Sequence, residues 1–342
     1  MVALPCYFLN IFLLLKPKGE SHIYLLLKMR YLFVCGLSMF LGGFSGCQYK
    51  CSTVSARSVS HFNRSDEVFA EYFQKFKLGE VINIAEDVAL FRFLLPNPQD
   101  KFSLQPCYTL QAQHKTGVNI IEQVQRYYTP ISINGTQGYF DLVVKKQHRG
   151  RMTEHLFSMS IGESLEFRKV ETKLKYAPNR WKEIGMIGGG TGLTPLLQVI
   201  RTVLGNPHDA TKISLLYANR TENKIILKGL MDDFAVRYPE QFSVRYVVDI
   251  AEDPAAWKGY TGIIDRRMIA ETIPKPSAHT MVLICGPDKM MARLVGSAPA
   301  VMRAMSGGTP WQPIGGGSVN NLAEVAGIMG PMGYDKETTY RF

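Results

Sequence analysis

The stretch EIGMIGGGTGLTPLLQVI, residues 183–200, sets the reading of the whole chain. An apolar run leads into Gly188, Gly189, Gly190 and Gly192, and a second apolar segment follows directly. This is the pattern of a strand, a tight turn and a helix start. Glycines at such a turn let the backbone approach a pyrophosphate, and the free N–H groups and dipole of the helix start draw negative charge. Thr194 suits the N-cap and Pro195 the first helical position. The usual dinucleotide fingerprint would place a third glycine where Pro195 stands, so the turn is a variant of it. A Gly-rich loop with no ligand is the competing reading.

Downstream of Arg180, apolar strands are expected at 183–187, 213–218, 243–248 and 281–285, alternating with helices such as 195–204 and 224–236. That alternation predicts βαβ units around a parallel sheet. Upstream the grammar changes to short, regularly spaced strands at 80–85, 89–95, 108–113 and 139–146, which predict an antiparallel barrel. The join falls at 173–181, a polar segment containing Pro178. The chain therefore divides into a leader (1–64), a barrel domain (65–175) and an α/β domain (176–342).

With 342 residues, 46% of them hydrophobic, the chain can bury two cores. The net charge of +10 is concentrated at the front: residues 1–64 carry seven Lys/Arg and one acid, Glu20, leaving 32 basic and 28 acidic residues in the body. A nucleic-acid partner needs a concentrated basic face, so none is expected. Cys6, Cys35, Cys47 and Cys51 lie in the leader and only Cys107 and Cys285 in the body, which implies no disulfide framework and fits a reducing compartment. No His/Cys spacing suits a metal, and none is expected. In the leader, the uncharged run 31–49, flanked by Lys28, Arg30 and Lys50, is close to the about 20 residues a spanning helix needs. It is read as a membrane anchor whose orientation the flanking charges leave open. Residues 2–15 suit an interfacial or targeting segment, and loss of the leader from the mature protein is the alternative.

Three more motifs carry chemistry. Arg126-Tyr127-Tyr128-Thr129-Pro130-Ile131-Ser132 offers a guanidinium for a diphosphate and a phenol for a flat ring. Gly150-Arg151-Met152-Thr153 opens the helix-like TEHLFSMS and offers N–H donors to an anion. Cys285-Gly286-Pro287 ends an expected strand. Taken singly, the first two are equally a strand with a surface arginine and an ordinary helix cap, and Cys285 a buried structural thiol.

In order, RYYTPIS, GRMT, GGTGLTP and CGP resemble the ferredoxin-reductase-like flavoproteins, and among them the NADH-cytochrome b5 reductase family. The resemblance covers roughly residues 78–291 and resumes at the aromatic C-terminal GYDKETTYRF; LLYANRTENKIIL (215–227) and VVDIAEDPAAW (247–257) also look like family segments. It implies an antiparallel β-barrel FAD-binding domain followed by a Rossmann-like NAD-binding domain. By resemblance, Arg126 and Tyr128 hold the flavin diphosphate and ring, with Thr129 and Ser132 supporting. Val143 and Lys145 fall where the family lines its flavin pocket, and Gly150, Arg151, Met152 and Thr153 cradle the FAD pyrophosphate. Thr194 sits close to the isoalloxazine. Gly189, Gly190 and Gly192 face the nicotinamide dinucleotide, and Cys285, Gly286 and Pro287 stand where the family brings up the nicotinamide.

Asp249 stands where the family's acid favours NADH, since a carboxylate accepts from ribose hydroxyls and repels a 2′-phosphate. Arg220 occupies a position more usually neutral and suits that phosphate. NADH is the favoured donor. The expected activity is hydride transfer from NADH to the flavin and one-electron release to an acceptor, with cytochrome b5 or a similar acidic haem protein as partner. Arg168, Lys169, Lys173, Lys175, Arg180 and Lys182 form a basic stretch that could steer it, or simply a solvated linker. The resemblance implies a monomer whose catalytic part faces the cytosol from the endoplasmic reticulum or outer mitochondrial membrane. Other acceptors, such as a quinone or ferric chelate, remain open, as does a membrane-anchored binding module without turnover.

The chain departs from the family pattern in three places. Residues 296–333 form a long Gly-rich insertion. Gln105-Pro106-Cys107 lacks the glycine usual before the flavin-side strand, and the loop between Lys146 and Arg149 is short.

Overall fold

The computed structural model describes residues 68–115, 123–296, 325 and 327–342. The expected anchor at 31–49 and residues 297–324 and 326 of the insertion lie outside the described residues. Phenylalanines organise the first half. Phe76, Phe91, Phe93, Phe102, Phe140 and Phe167 are all buried, and edge-on pairs such as Phe93–Phe167, with ring centroids 4.9 Å apart, fill the interior. Around them wraps a six-stranded antiparallel sheet: β1 (Gln74–Ala85), β2 (Val88–Leu94), β3 (Thr109–Lys115), β4 (Gln123–Tyr128), β5 (Tyr139–Lys145) and β6 (Ser164–Val170), in the order β4-β3-β6-β1-β2-β5. The outer strands β4 and β5 are joined by the segment after β4. The Ile131 N–H donates to the Asp141 carbonyl at 2.9 Å, and the Asp141 N–H donates to Ser132 Oγ at 2.7 Å. That seam gives the sheet its barrel-like closure. Helix α1 (Arg151–Ser158) plugs one end with Met152 and Leu156.

The second sheet is wholly parallel, in the order β10-β9-β8-β7-β11-β12: β7 (Glu183–Gly189), β8 (Lys212–Asn219), β9 (Phe242–Val248), β10 (Tyr260–Thr261), β11 (Thr280–Cys285) and β12 (Thr339–Arg341). Its strands are apolar on both faces, as a sheet covered on both sides requires. Met186, Leu215 and Leu283 pack with α2 (Leu193–Leu204) and α3 (Lys228–Arg237). Ile187, Leu216 and Val282 pack with α4 (Arg266–Thr272) and α5 (Asp288–Val295). The strand order reverses between β7 and β11, the crevice where open α/β sheets bind ligands.

Strands β4, β6, β10 and β12 go beyond the sequence expectation. The first two carry long polar side chains that a reading by hydrophobicity assigns to loops. In the fold these side chains pair across the sheet: Gln111 Nε2 donates to Gln125 Oε1 (3.1 Å), Gln113 Nε2 to Glu166 Oε2 (2.9 Å) and Arg168 Nε to Gln111 Oε1 (2.6 Å). β10 and β12 have two and three residues, too few to show a period. Helix α3 starts at Lys228 rather than 224, because Ile225 and Ile226 are buried in a non-helical segment and Leu227 takes a left-handed backbone (φ 56°).

Candidate active site in the cleft between the two sheets

The C-terminal ends of β7 and β11 lie side by side, with Gly188 opposite Cys285 in the register. Gly190 turns the chain out of β7 with φ +54°, and a Cβ there would meet nothing within 4 Å. Gly192 is required for the opposite reason. A Cβ on it would stand 2.6 Å from the Cys285 carbonyl carbon and 2.8 Å from Gly286 N. The turn is held from below by fully buried Tyr217, whose hydroxyl donates to the Gly190 carbonyl at 2.9 Å. The expected cap is corrected here. Gly192 is the N-cap of α2, so Thr194 and Pro195 are its second and third residues. A short 3₁₀ turn over Gly190–Gly192 starts the helix early, and Pro195 is tolerated because the first-turn N–H groups lack intrahelical acceptors anyway.

These elements form one wall of a cleft of about 1170 Å³, and the barrel forms the other. The cleft gathers most of the expected site residues. From the barrel come Arg126, Tyr128 and Thr129 at the end of β4, Val143 and Lys145 on β5, and Gly150, Met152 and Thr153 at the start of α1. From the α/β side come Gly189, Gly190, Gly192, Thr194, Asp249, Cys285, Gly286 and Pro287. Two residues are not brought to it. Ser132 faces away, its hydroxyl used in the barrel seam, and it lines a separate hollow of about 250 Å³ with Arg201. Arg151, the first residue of α1, is exposed and does not line the cleft, although its neighbours on both sides do.

The electrostatics of the cleft suit a dianionic ligand on the barrel side. Arg126 Nη1 donates to its neighbour's carbonyl, Gln125 O, at 2.7 Å, and among the described residues no carboxylate pairs with it. No side chain caps α1, so its first N–H groups are left to other acceptors, and Gly150, Met152 and Thr153 at this helix start line the cleft. Thr153 Oγ1 fixes the turn by donating to the Gly150 carbonyl (2.9 Å) and accepting from the Gln147 N–H (3.1 Å). Lys145 is engaged with Asp87 at 3.2 Å. Burial pushes the Tyr128 phenol up, against the opposing pull of Arg126, and it stays neutral. Burial likewise pushes the Cys285 thiol up to about 12, so it remains a thiol and offers a small, polarisable surface rather than a nucleophile.

Two buried polar atoms lining the cleft have no partner, Thr172 Oγ1 and Asn219 Nδ2. Orphans of this kind, the open space at Gly190 and the unpaired Arg126 together fit a large, polar, phosphate-bearing ligand. Sequence reasoning missed three contributors. Thr172 follows a strand it did not anticipate. Phe342 reaches the cleft because β12 pairs with β11 and the Phe342 N–H donates to the Ile284 carbonyl at 3.0 Å; the aromatic ending was the only signal for it. Cys107 also lines the cleft. It ends the Gln105-Pro106-Cys107 triplet that lacks the family's glycine, and adopts φ +70° with its side chain buried.

A barrel with an anion-binding helix start, joined through one cleft to a parallel sheet with a phosphate-type turn, defines a two-domain flavin and nicotinamide oxidoreductase. Sequence comparison agrees in both halves. The oxidoreductase FAD-binding domain matches residues 75–176 and the oxidoreductase NAD-binding domain residues 186–295. NADH-cytochrome b5 reductase 1 of Candida albicans is 40% identical over 224 residues, 65% of this chain and 74% of the relative. The protein of the same name from Dictyostelium discoideum is 39% identical over 224 residues, 66% of this chain and 76% of the relative. Among solved structures, the cytochrome b5 reductase domain of Ulva prolifera nitrate reductase superposes with a TM-score of 0.64 at 30% identity, covering 80% of this chain and 99% of that domain. The chain belongs to the NADH-cytochrome b5 reductase family.

Proposed function

We propose that the protein takes a hydride from NADH onto FAD and passes the electrons singly to cytochrome b5 or a similar acidic haem protein. The observation that carries the reading is the convergence of the Arg126–Thr129 segment, the α1 start, the Gly189–Gly192 turn and the Cys285–Pro287 segment on one cleft. The cleft's side chains carry no redox group of their own, and FAD held there would supply the exchange between two-electron and one-electron chemistry. The protein's part is geometry and field. Arg126 and the α1 N–H groups would neutralise the diphosphate, while Tyr128, Val143 and Thr129 would seat the ring system. Thr194 and Cys285 would line the place where the two rings meet, and the Gly190 turn would hold the second pyrophosphate. Phe342 and the apolar lining keep water away from the reacting faces. The flavin half corresponds to residues 65–175 and the nicotinamide half to 176–342.

The haem-protein partner is supported by charge. Lys173, Lys175, Arg180 and Lys182 are exposed along the segment joining the two sheets, whereas Arg168 is drawn into the sheet by Gln111 and lies over the Phe73 ring at 5.0 Å. Exposed cations of this kind raise the encounter rate with an acidic partner more than they deepen affinity. Anchoring through residues 31–49, on the cytosolic face of the endoplasmic reticulum or outer mitochondrial membrane, belongs to the same proposal and rests on sequence. Among the described residues no helix is long and apolar enough to cross a membrane.

The test is the visible spectrum of the full chain purified in detergent, before and after anaerobic NADH, followed by oxidised cytochrome b5 at two ionic strengths. A flavin band that NADH bleaches and cytochrome b5 restores, more slowly at high salt, is the expected result. A colourless protein that FAD does not reconstitute refutes the reading.

A further inference from the structure

We propose that Arg220 and Lys224 form a 2′-phosphate subsite beside Asp249, making NADPH a second hydride donor alongside NADH. The inference rests on the dinucleotide reading of the cleft and concerns its adenosine end. Pairing between β8 and β9 continues past the last strand residues: the Asp249 N–H donates to the Asn219 carbonyl at 3.2 Å, and the Ile250 N–H to the Arg220 carbonyl at 3.3 Å. Arg220 and Asp249 are thereby laid next to each other on adjacent chain segments at the C-terminal edge of the sheet. Both line the cleft, as do Asn223 and Lys224 from the following turn.

These groups are not consumed by one another. No ion pair forms between Arg220 or Lys224 and Asp249, and among the described residues neither cation has a carboxylate within salt-bridge distance. Glu222 sits on the same turn but does not line the cleft. The wall therefore presents two free cations and one carboxylate to whatever occupies the ribose 2′ position.

A single carboxylate there would both accept from a 2′-hydroxyl and exclude a 2′-phosphate. With Arg220 and Lys224 on the same wall, a phosphate dianion meets one repulsion and two attractions. The guanidinium also offers paired donors that match phosphate geometry, which the ammonium reinforces as a point charge. Asp249 still rewards the free hydroxyl, so NADH is accepted and NADPH is admitted beside it. Specificity on this wall is a balance between neighbouring charges, set by the residue after β8 as much as by the one after β9.

The experiment titrates the FAD-loaded full chain in detergent with adenosine 5′-monophosphate and with adenosine 2′,5′-bisphosphate, by calorimetry, for the native protein, R220Q and K224Q. Flavin bleaching by NADPH is followed in parallel. The native protein is expected to bind the bisphosphate within tenfold of the monophosphate, with the steeper salt dependence of the more charged ligand. Each substitution is expected to lower the bisphosphate-to-monophosphate affinity ratio by about tenfold. Both side chains are exposed and, among the described residues, neither is paired with a carboxylate, so folding is not at stake. Binding of the monophosphate with the bisphosphate a hundredfold weaker, or a ratio unmoved in both variants, overturns the subsite while leaving the cleft's reading intact. Failure of both nucleotides to bind removes the dinucleotide reading and the subsite with it.

Discussion

Replacing Gly192 by alanine tests whether the turn after β7 is built around contact with the end of β11. The added methyl would need roughly 1 Å more room than the Cys285–Gly286 backbone leaves, and that backbone is fixed by its register with β7 and by the Phe342 N–H bond to Ile284. Since the obstacle is main chain and not the end of a flexible side chain, the cost belongs at the upper end of overpacking, about 3 kcal/mol. Lower entropy of the unfolded chain returns up to about 1 kcal/mol, for a net loss of about 2 kcal/mol. In a domain of this size that corresponds to a fall in Tm of about 4–8 °C. The kinetic effect should be larger than the thermal one. A shift of about 1 Å between the groups that seat two reacting rings can cost about a hundredfold in rate. Calorimetry and anaerobic stopped-flow reduction by NADH measure the two quantities, with the flavin spectrum as control for the barrel side. A variant with unchanged Tm and unchanged hydride-transfer rate would refute the argument that this glycine exists for steric contact.

Gly190→Asn separates conformation from ligand space. Asparagine tolerates the left-handed backbone, so stability should fall by less than about 1 kcal/mol, while its side chain enters the open volume and raises the NADH KM about tenfold or more. Arg126→Ala should weaken FAD retention about tenfold to a hundredfold, read by flavin release on dilution, and Arg126→Lys should recover part of it as a charge without the fork. His114 on β3 and His155 on α1 stack with centroids 3.4 Å apart, and burial lowers both pKa values, with Arg151 acting further on His114 and His114 on His155. Their folded values lie below the unfolded value of about 6.5, so the stability they confer is present above that pH and is lost as pH falls towards the folded values. Hydrogen exchange across pH 7 to 5 should show α1 loosening in the native protein and less change in His155→Gln; equal acid sensitivity in both would remove these histidines from the explanation.

The sequence made the architecture legible wherever one side chain type dominated. The β7 run and its glycines announce a phosphate-type turn, and the CGP segment announces the strand end that meets it. What it concealed lies in pairing. Gln125 and Glu166 read as loop polarity until the sheet places each opposite a partner on β3, and the end of β6 reads in sequence as the start of a basic linker. Ser132 and Arg151 belong to motifs that reach the cleft through their neighbours, and a motif does not say which of its members turns away. Cys107 is the reverse case: the absence of a glycine from Gln105-Pro106-Cys107 is visible in the sequence, but only the fold shows that the left-handed φ falls on Cys107 itself.

The barrel seam has a consequence for how the halves depend on each other. The carbonyl of Ile131, whose N–H closes the barrel onto Asp141, accepts from the half-buried guanidinium of Arg201 on α2. The residue that fastens one domain is thus gripped by the other. A barrel cut free at residue 176 would keep its phenylalanine interior yet lose the clasp on its last stitch, and water would compete for the Ile131 carbonyl that the arginine now occupies. The two halves are therefore unequally self-sufficient: the phenylalanine interior draws only on barrel residues, whereas the barrel's edge is completed by a side chain from the neighbouring helix.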